Sequence, residues 1–315
     1  PKLLVQAGLR GTFHEQFFDI FLSPRLDFFY SPTPALTLKG YAGEYFQYIS
    51  QLIDWDFDLL SSQAWLVSSP GEIPVISSFQ VGGGFLYEKK GWLVDVEYYL
   101  KDLNNLTSFG SNLTSSINLE FAVGEAYIQG IDILFKKRWN AQHRSWISYT
   151  LSSTTYEFPE LEATPFRASH DQRHNLQFHH VANWRKWEFA LGWMYRSSKP
   201  FTPLVGNNSL LIEDDLGPFW ITEPILGGIN SASIDRDYHR LDISIMRQLN
   251  FLYEDRLRGK IGLSIQNVYN RFNLLSIQYL PDFYEFDTPQ ADRTAFEIEK
   301  DMLFFTPNLM LRLEW

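Results

Sequence analysis

The C-terminal stretch, residues 303–315, constrains the fold more than any other part of this chain. Its odd positions are apolar: Leu303, Phe305, Pro307, Leu309, Leu311, Leu313 and Trp315. Its even positions include Thr306, Asn308, Arg312 and Glu314. A period of two puts one face in an apolar medium and the other in a polar one. A tilted strand of about ten residues crosses the hydrocarbon core of a bilayer, and a soluble sandwich strand is usually about half as long. The pattern predicts lipid on one side of this strand and water or polar protein on the other.

The same alternation recurs along the chain. Residues 2–13 set Leu3, Val5, Ala7 and Leu9 against Gln6, Gly8 and Arg10. Residues 187–197 are the cleanest internal case, with Trp187, Phe189, Leu191, Trp193 and Tyr195 against Glu188, Gly192 and Arg196. Further strands are predicted over 23–30, 36–47, 77–88, 92–101, 125–137, 145–156, 173–184, 239–249 and 257–270, which makes about twelve in all. The connections alternate between short and long. Tight turns at 31–34, 89–91, 138–143, 185–186 and 250–256 separate a modest loop at 14–22 and long ones at 48–76, 103–124, 157–172, 198–238 and 271–302. Bacterial outer-membrane barrels have short periplasmic turns and long extracellular loops. The expectation is therefore an all-β protein, an antiparallel transmembrane β-barrel, with residues 1–315 forming a single barrel segment.

Composition fits this reading. Mean hydropathy is −0.21, a value typical of soluble proteins, and an aromatic-rich soluble β protein is the bland alternative. A barrel hides from hydropathy because lumen-facing polar residues dilute each strand. Aromatic residues at 17% supply girdles for both membrane interfaces. No apolar run approaches the length of a transmembrane helix. Cysteine is absent, which excludes a disulfide framework and a thiolate metal site. The net charge of −10 argues against nucleic acid as a partner. Gly-x-Ser-x-Gly, paired-histidine metal motifs and nucleotide fingerprints are missing, so the reading is of a non-enzyme without a cofactor.

Candidate binding residues lie in the long loops. Asp54, Trp55, Asp56 and Asp58, with Trp65 further on, alternate carboxylates and aromatics. Asp214, Asp215, Phe219 and Trp220 offer the same chemistry in the longest loop. Aromatic faces supply contact area for a ligand and carboxylates set polarity. Such carboxylates also reach lipopolysaccharide through divalent ions, and a merely solvated acidic loop is the competing reading. His170 and Asp171 with His174, and the pair His179 and His180, could suggest metal or proton chemistry, but His179 and His180 face opposite sides of a strand and cannot chelate together, and these residues are read as interface and lumen residues. Gly82, Gly83 and Gly84 fall within a strand, which suggests close approach of a neighbouring element to the wall.

Several segments resemble the C-terminal half of TonB-dependent outer-membrane receptors and transporters. They are Gly124-Glu125-Ala126-Tyr127-Ile128-Gln129-Gly130-Ile131-Asp132, Asp171-Gln172-Arg173-His174-Asn175, Tyr195-Arg196-Ser197-Ser198-Lys199-Pro200-Phe201, Tyr238-His239-Arg240-Leu241-Asp242 and Ser264-Ile265-Gln266-Asn267-Val268-Tyr269-Asn270-Arg271-Phe272-Asn273. Their order over 124–315 carries the resemblance, and the earlier region fits by pattern. The resemblance implies a 22-stranded barrel in the bacterial outer membrane, around an N-terminal plug. It also implies uptake of a scarce ligand such as an iron chelate, cobalamin, a glycan or a peptide. Plug and energy-transducer contact segment are expected to be absent from this chain. A second polypeptide or an upstream segment would then carry the plug and the remaining strands, and a TonB-type energy transducer would act through that segment. A fragment, one chain of a split barrel and a small closed barrel all remain open. The alternative function is a small autonomous outer-membrane channel, or a structural wall within an outer-membrane assembly.

Overall fold

A computed structural model describes residues 2–51, 65–109, 121–214, 217–250, 258–285 and 294–314. Strand β1 (Leu3–His14) turns into β2 (Asp19–Thr33), and a tight proline turn leads to β3 (Leu36–Gln47). A small hairpin of β4 (Ile49–Gln51) and β5 (Trp65–Val67) precedes β6 (Ile76–Lys89), β7 (Trp92–Phe109), β8 (Phe121–Arg138) and β9 (His143–Glu157). The two-residue β10 (Phe166–Arg167) pairs with β9, and β11 (His174–Trp184) and β12 (Trp187–Arg196) follow. Between β12 and the next long strand lie β13 (Pro200–Phe201), β14 (Leu204–Asp214), β15 (Gly217–Leu226) and β16 (Ala232–Ser233). The chain continues through β17 (Tyr238–Asn250), β18 (Arg258–Gln266), β19 (Leu274–Leu280), β20 (Asp282–Glu285) and β21 (Phe296–Asp301) to β22 (Thr306–Glu314).

One antiparallel sheet forms the wall, in the order β1-β2-β3-β6-β7-β8-β9-β11-β12-β17-β18-β22. These twelve strands are the ones the alternation predicts. The turn between β6 and β7 shows why short connections work here. Lys90 and Gly91 both adopt positive φ, 51° and 77°, as a two-residue hairpin matched to strand twist requires. Among the described residues the sheet is open, because β1 pairs only with β2 and β22 only with β18.

Register assigns the two faces, since residues directly opposite in an antiparallel pair point the same way. One row reads Leu38, Phe85, Val96, Ile133, Tyr149, Leu176 and Tyr195 across seven strands. The next rung reads Lys39, Gly84, Glu97, Asp132, Thr150, Asn175 and Arg196. The first row belongs to hydrocarbon and the second to a polar lumen. Solvent exposure follows this division: Leu9 (71%), Phe85, Ile147, Leu309 (78%) and Leu311 stand out on the apolar face. Leu4, Phe29 and Met310 are exposed on the inner face, and all three lie on or next to an open edge.

Strands β7 and β8 have 18 residues each, well beyond the roughly ten that cross a bilayer. Their overhang on the long-connection side carries the compact core. Leu106, Ala122, Ala126 and Tyr156 pack there with Phe158, Phe166, Ala168 and Ile229 from the connecting segments.

Several expectations change: β18 ends at Gln266 rather than at residue 270, and β7 and β8 extend into the connection expected at 103–124. The connection expected at 14–22 shrinks to residues 15–18, because the strands continue pairing to His14↔Asp19. The long connections contain β structure of their own. The final strand starts at Thr306 rather than Leu303, because asparagine side chains take the preceding backbone. Asn270 Oδ1 accepts the Phe305 amide at 2.9 Å and Asn267 Nδ2 donates to the Leu303 carbonyl at 3.3 Å.

Candidate functional site

Bacterial barrels place their long connections outside the cell, and here the two longest ones are stitched together. Strands β14 and β15 form a hairpin from Leu204↔Leu226 to Asp214↔Gly217, and β20 joins the free side of β15. Phe219 stands opposite Glu285 and Trp220 opposite Tyr284. This three-stranded sheet bridges the β12–β17 and β18–β22 connections. The Ala295 amide adds a further tie, donating to Asn207 Oδ1 at 3.1 Å. Thr222 is fully buried in this sheet and shares a 2.8 Å hydroxyl bond with Ser209.

The structure therefore brings Phe219 and Trp220 into one sheet, on opposite faces of β15. Trp65 is 64% exposed on the separate β4–β5 hairpin, opposite Gln51, in the connection between β3 and β6. Asp214 ends β14 opposite Gly217. Asp54, Trp55, Asp56, Asp58 and Asp215 lie outside the described residues.

A buried carboxylate anchors the neighbouring connections. The side chain of Asp171 is 1% exposed and accepts the Thr154 amide at 3.1 Å and Arg167 Nε at 2.9 Å. Arg167 also donates to Ser233 Oγ at 2.9 Å, and its carbonyl accepts Asn230 Nδ2 at 2.8 Å. Residues 158–173 are thereby fastened to residues 198–237. His170, Asp171 and His174 each have another partner in this arrangement. Asp171 answers Arg167, His174 bonds the Tyr149 hydroxyl at 2.8 Å, and His170 packs edge-on to the Tyr156 ring. Burial lowers the pKa of His170 below the usual imidazole value, with adjacent Asp171 opposing the shift. Among the described residues no cluster of three or more potential metal ligands exists.

The segment holding Asn267, Asn270, Arg271 and Asn273 acts as a backbone clasp. Asn267 is fully buried at φ 54°, a left-handed geometry that asparagine tolerates. Its amide donates to Asp242 Oδ1 at 2.9 Å and its side chain bonds both ways with Arg271. Asn273 bonds the amide and the carbonyl of His239. The outer ends of β17, β18 and β22 are held in this way.

On the lumen face, Lys39 reaches Asp95 at 2.8 Å and Glu97 at 2.7 Å, and the Tyr41 hydroxyl donates to Glu97 at 3.1 Å. Sequence reading missed this cluster, although the polar positions of β3 and β7 carried a signal. Register is what brings them together, through β6. The register also corrects the reading of Gly82. The space above it is filled by the ring of Tyr41, its cross-strand partner, rather than left for another element. Gly84 has no room for a side chain against the Val96 carbonyl.

The comparisons with known proteins agree with this architecture. A family profile described as "TonB dependent receptor-like, beta-barrel" matches residues 1–270. The chain belongs to that family. As a member it is a barrel of the bacterial outer membrane, and the match extends the sequence-level resemblance from residue 124 back to residue 1. No curated protein matches the chain by sequence. Its structure is similar to a mutant of the ferric enterobactin receptor PfeA from Pseudomonas aeruginosa, with TM-score 0.58 and 13% identity over 87% of this chain and 38% of that one. The same receptor in complex with BCV-L6 gives 0.57 and 11%, over 99% of this chain and 43% of that one. The FrpB iron transporter from Neisseria meningitidis gives 0.53 and 11%, over 94% and 39%. At these identities the likeness establishes the fold. The chain spans about two fifths of the length of the receptors it matches.

Proposed function

We propose that this TonB-dependent receptor barrel is the C-terminal part of an energised importer whose ligand is an iron chelate. The observation that carries the reading is the β14–β15–β20 sheet, which spans two long connections and carries Phe219 on one face and Trp220 on the other, in a TonB-dependent receptor barrel. The choice among iron chelate, cobalamin, glycan and peptide is guided by the solved relatives, which include ferric enterobactin and ferripyoverdine receptors. Trp65, Phe219 and Trp220 are proposed to contact the ligand, with Asp54, Trp55, Asp56, Asp58, Asp214 and Asp215 setting the polarity of the mouth. The plug and the remaining strands of a 22-stranded wall come from an upstream segment or a second polypeptide, which also engages the energy transducer. Extracellular carboxylates bridge to lipopolysaccharide through divalent cations.

A small self-contained channel fits less well. Closing twelve strands requires β1 to pair with β22, and neither edge does so among the described residues.

The test is intrinsic tryptophan quenching of the complete receptor, extracted from outer membranes and titrated with ferric catecholate and hydroxamate chelates or with cobalamin. Saturable quenching by a ferric chelate, weakened at least tenfold by Phe219→Ala with Trp220→Ala, is the expected result. A response to cobalamin alone would overturn the choice of ligand class, and an unchanged affinity in the double variant would overturn the site.

A further inference from the structure

At the short-turn end of the wall, aromatic side chains and cations meet on the lipid-facing side. Lys137 Nζ stands 3.8 Å from the centroid of the Trp92 ring and 5.9 Å from that of Trp139. Trp92, Lys137, Ser145 and His180 occupy one register row across β7, β8, β9 and β11, on the same side as Phe135 and Ile147 two residues further along. The row is wired together. Trp139 Nε1 donates to Ser145 Oγ at 3.0 Å, Ser145 Oγ bonds His180 Nδ1 at 2.7 Å, and His180 Nε2 lies 3.4 Å from His143 Nδ1. Trp139 is 58% exposed and His143 is also exposed. Two further cations repeat the arrangement along the rim, Arg185 over Trp184 at 5.3 Å and Arg247 over Trp187 at 5.1 Å. Lys137, Arg185 and Arg247 are in no ion pair among the described residues.

This placement needs an explanation, because the chain as a whole carries a net charge of −10. Tryptophan rings settle at the headgroup level of a bilayer, and short turns place this end in the periplasmic leaflet. A cation held over such a ring sits at the depth of the lipid phosphates. It cannot move into hydrocarbon, and among the described residues no carboxylate pairs with it. A phosphodiester is the anion available at that depth, and basic pockets at membrane interfaces bind phospholipid headgroups. Lys137 supplies the charge, while His143 and the Ser145–His180 pair supply hydrogen-bonding groups beside it.

We propose that Lys137, Ser145 and His180, with His143 beside His180, form a binding site for the phosphate of an anionic glycerophospholipid in the periplasmic leaflet. The site lies on the outer surface of the wall, at the end opposite the extracellular loops, and does not depend on the ligand the receptor imports.

The experiment is native mass spectrometry of the receptor released from mixed micelles of phosphatidylglycerol and phosphatidylcholine. Selective retention of phosphatidylglycerol is expected. Lys137→Gln should lower that retention about fivefold, on the scale of one lysine at an anionic surface, and Lys101→Gln on the lumen side should leave it unchanged. Gln142→Lys adds a cation at the exposed turn beside His143 and should raise retention, a gain that misfolding does not produce. Equal retention of the two lipids, or no response to both Lys137→Gln and Gln142→Lys, would overturn the proposal. Displacement of the lipid by millimolar inorganic phosphate would overturn the lipid assignment in favour of a free-phosphate site.

Discussion

The ring of Tyr41 on β3 lies over Gly82, its direct partner on β6, so closely that a Cβ at residue 82 would come within 2.6 Å of the ring. Tyr99 over Gly130 and Met246 over Gly262 repeat the arrangement on the lumen face. Each glycine gives its partner a flat place on the wall, so that large side chains lie along it and cover backbone. Gly82→Ala should therefore destabilise the barrel by about 1–3 kcal/mol, the usual range for overpacking. Urea unfolding in lipid vesicles measures this. Tyr41→Phe keeps the cover but loses the bond to Glu97, and should cost about 0.5–1.5 kcal/mol.

The face assignment makes a sharper prediction at adjacent residues. Leu191 shares its row with Ile243, and Gly192 faces inward beside His179. Leu191→Arg should cost about 2–4 kcal/mol, as a charge near the bilayer midplane does. Gly192→Arg meets His179 Nδ1 at 3.1 Å from its Cβ, a contact relieved by local adjustment in a polar lumen. Equal losses at the two positions in the same vesicle unfolding assay would contradict the assignment.

Removing the Asp171 carboxylate leaves Arg167 Nε and the buried Thr154 amide without their acceptor, while the Arg167 bonds to Ser233 Oγ and to the Asp171 carbonyl remain. Asp171→Ala should weaken the outer layer by about 1–3 kcal/mol, the scale of leaving a buried donor unsatisfied. Limited proteolysis should then cut within residues 158–173 or 198–237 while the wall stays protected. Simultaneous loss of the wall and the outer layer would show that Asp171 has no local role.

The outer layer should also loosen on acidification. Burial lowers the pKa of His170 below its ordinary 6.5, so the unfolded segment binds a proton more readily than the folded one. The stabilising contribution is complete above pH 6.5 and declines as pH falls through the lowered folded value. Proteolytic susceptibility of residues 158–173 should rise below pH 6.5, and His170→Phe should flatten that dependence. A profile identical in the variant would assign the pH response to another group.

The wall was legible because its signal is local. Alternation in 187–197 and in the terminal strand reports which side of each residue meets lipid, and no knowledge of partners is needed. What the sequence concealed depends on distant pairs. Lys39 and Glu97 meet only once β6 is registered between their strands, and Trp220 meets Tyr284 only when two long connections fold back on each other. Leu303 and Phe305 misled because their alternation continues that of the strand, while their backbone is held by Asn267 and Asn270. Of the aromatic candidates for ligand contact, Trp65, Phe219 and Trp220 lie in β strands, but their separation onto two hairpins required the topology.

The open edges have a consequence for how the wall comes to exist. Among the described residues, the twelve from Leu3 to His14 along β1 are paired on one side only, and along β22 the pairing runs from Thr306 to Glu314 on one side. In hydrocarbon each backbone group left unpaired costs several kcal/mol. Under the proposed arrangement, in which further strands complete the wall, insertion of this sheet and acquisition of those strands would be one thermodynamic event. A defect in whichever strand meets Leu3 or Leu313 would be felt as a folding defect of this chain, although none of its own residues had changed.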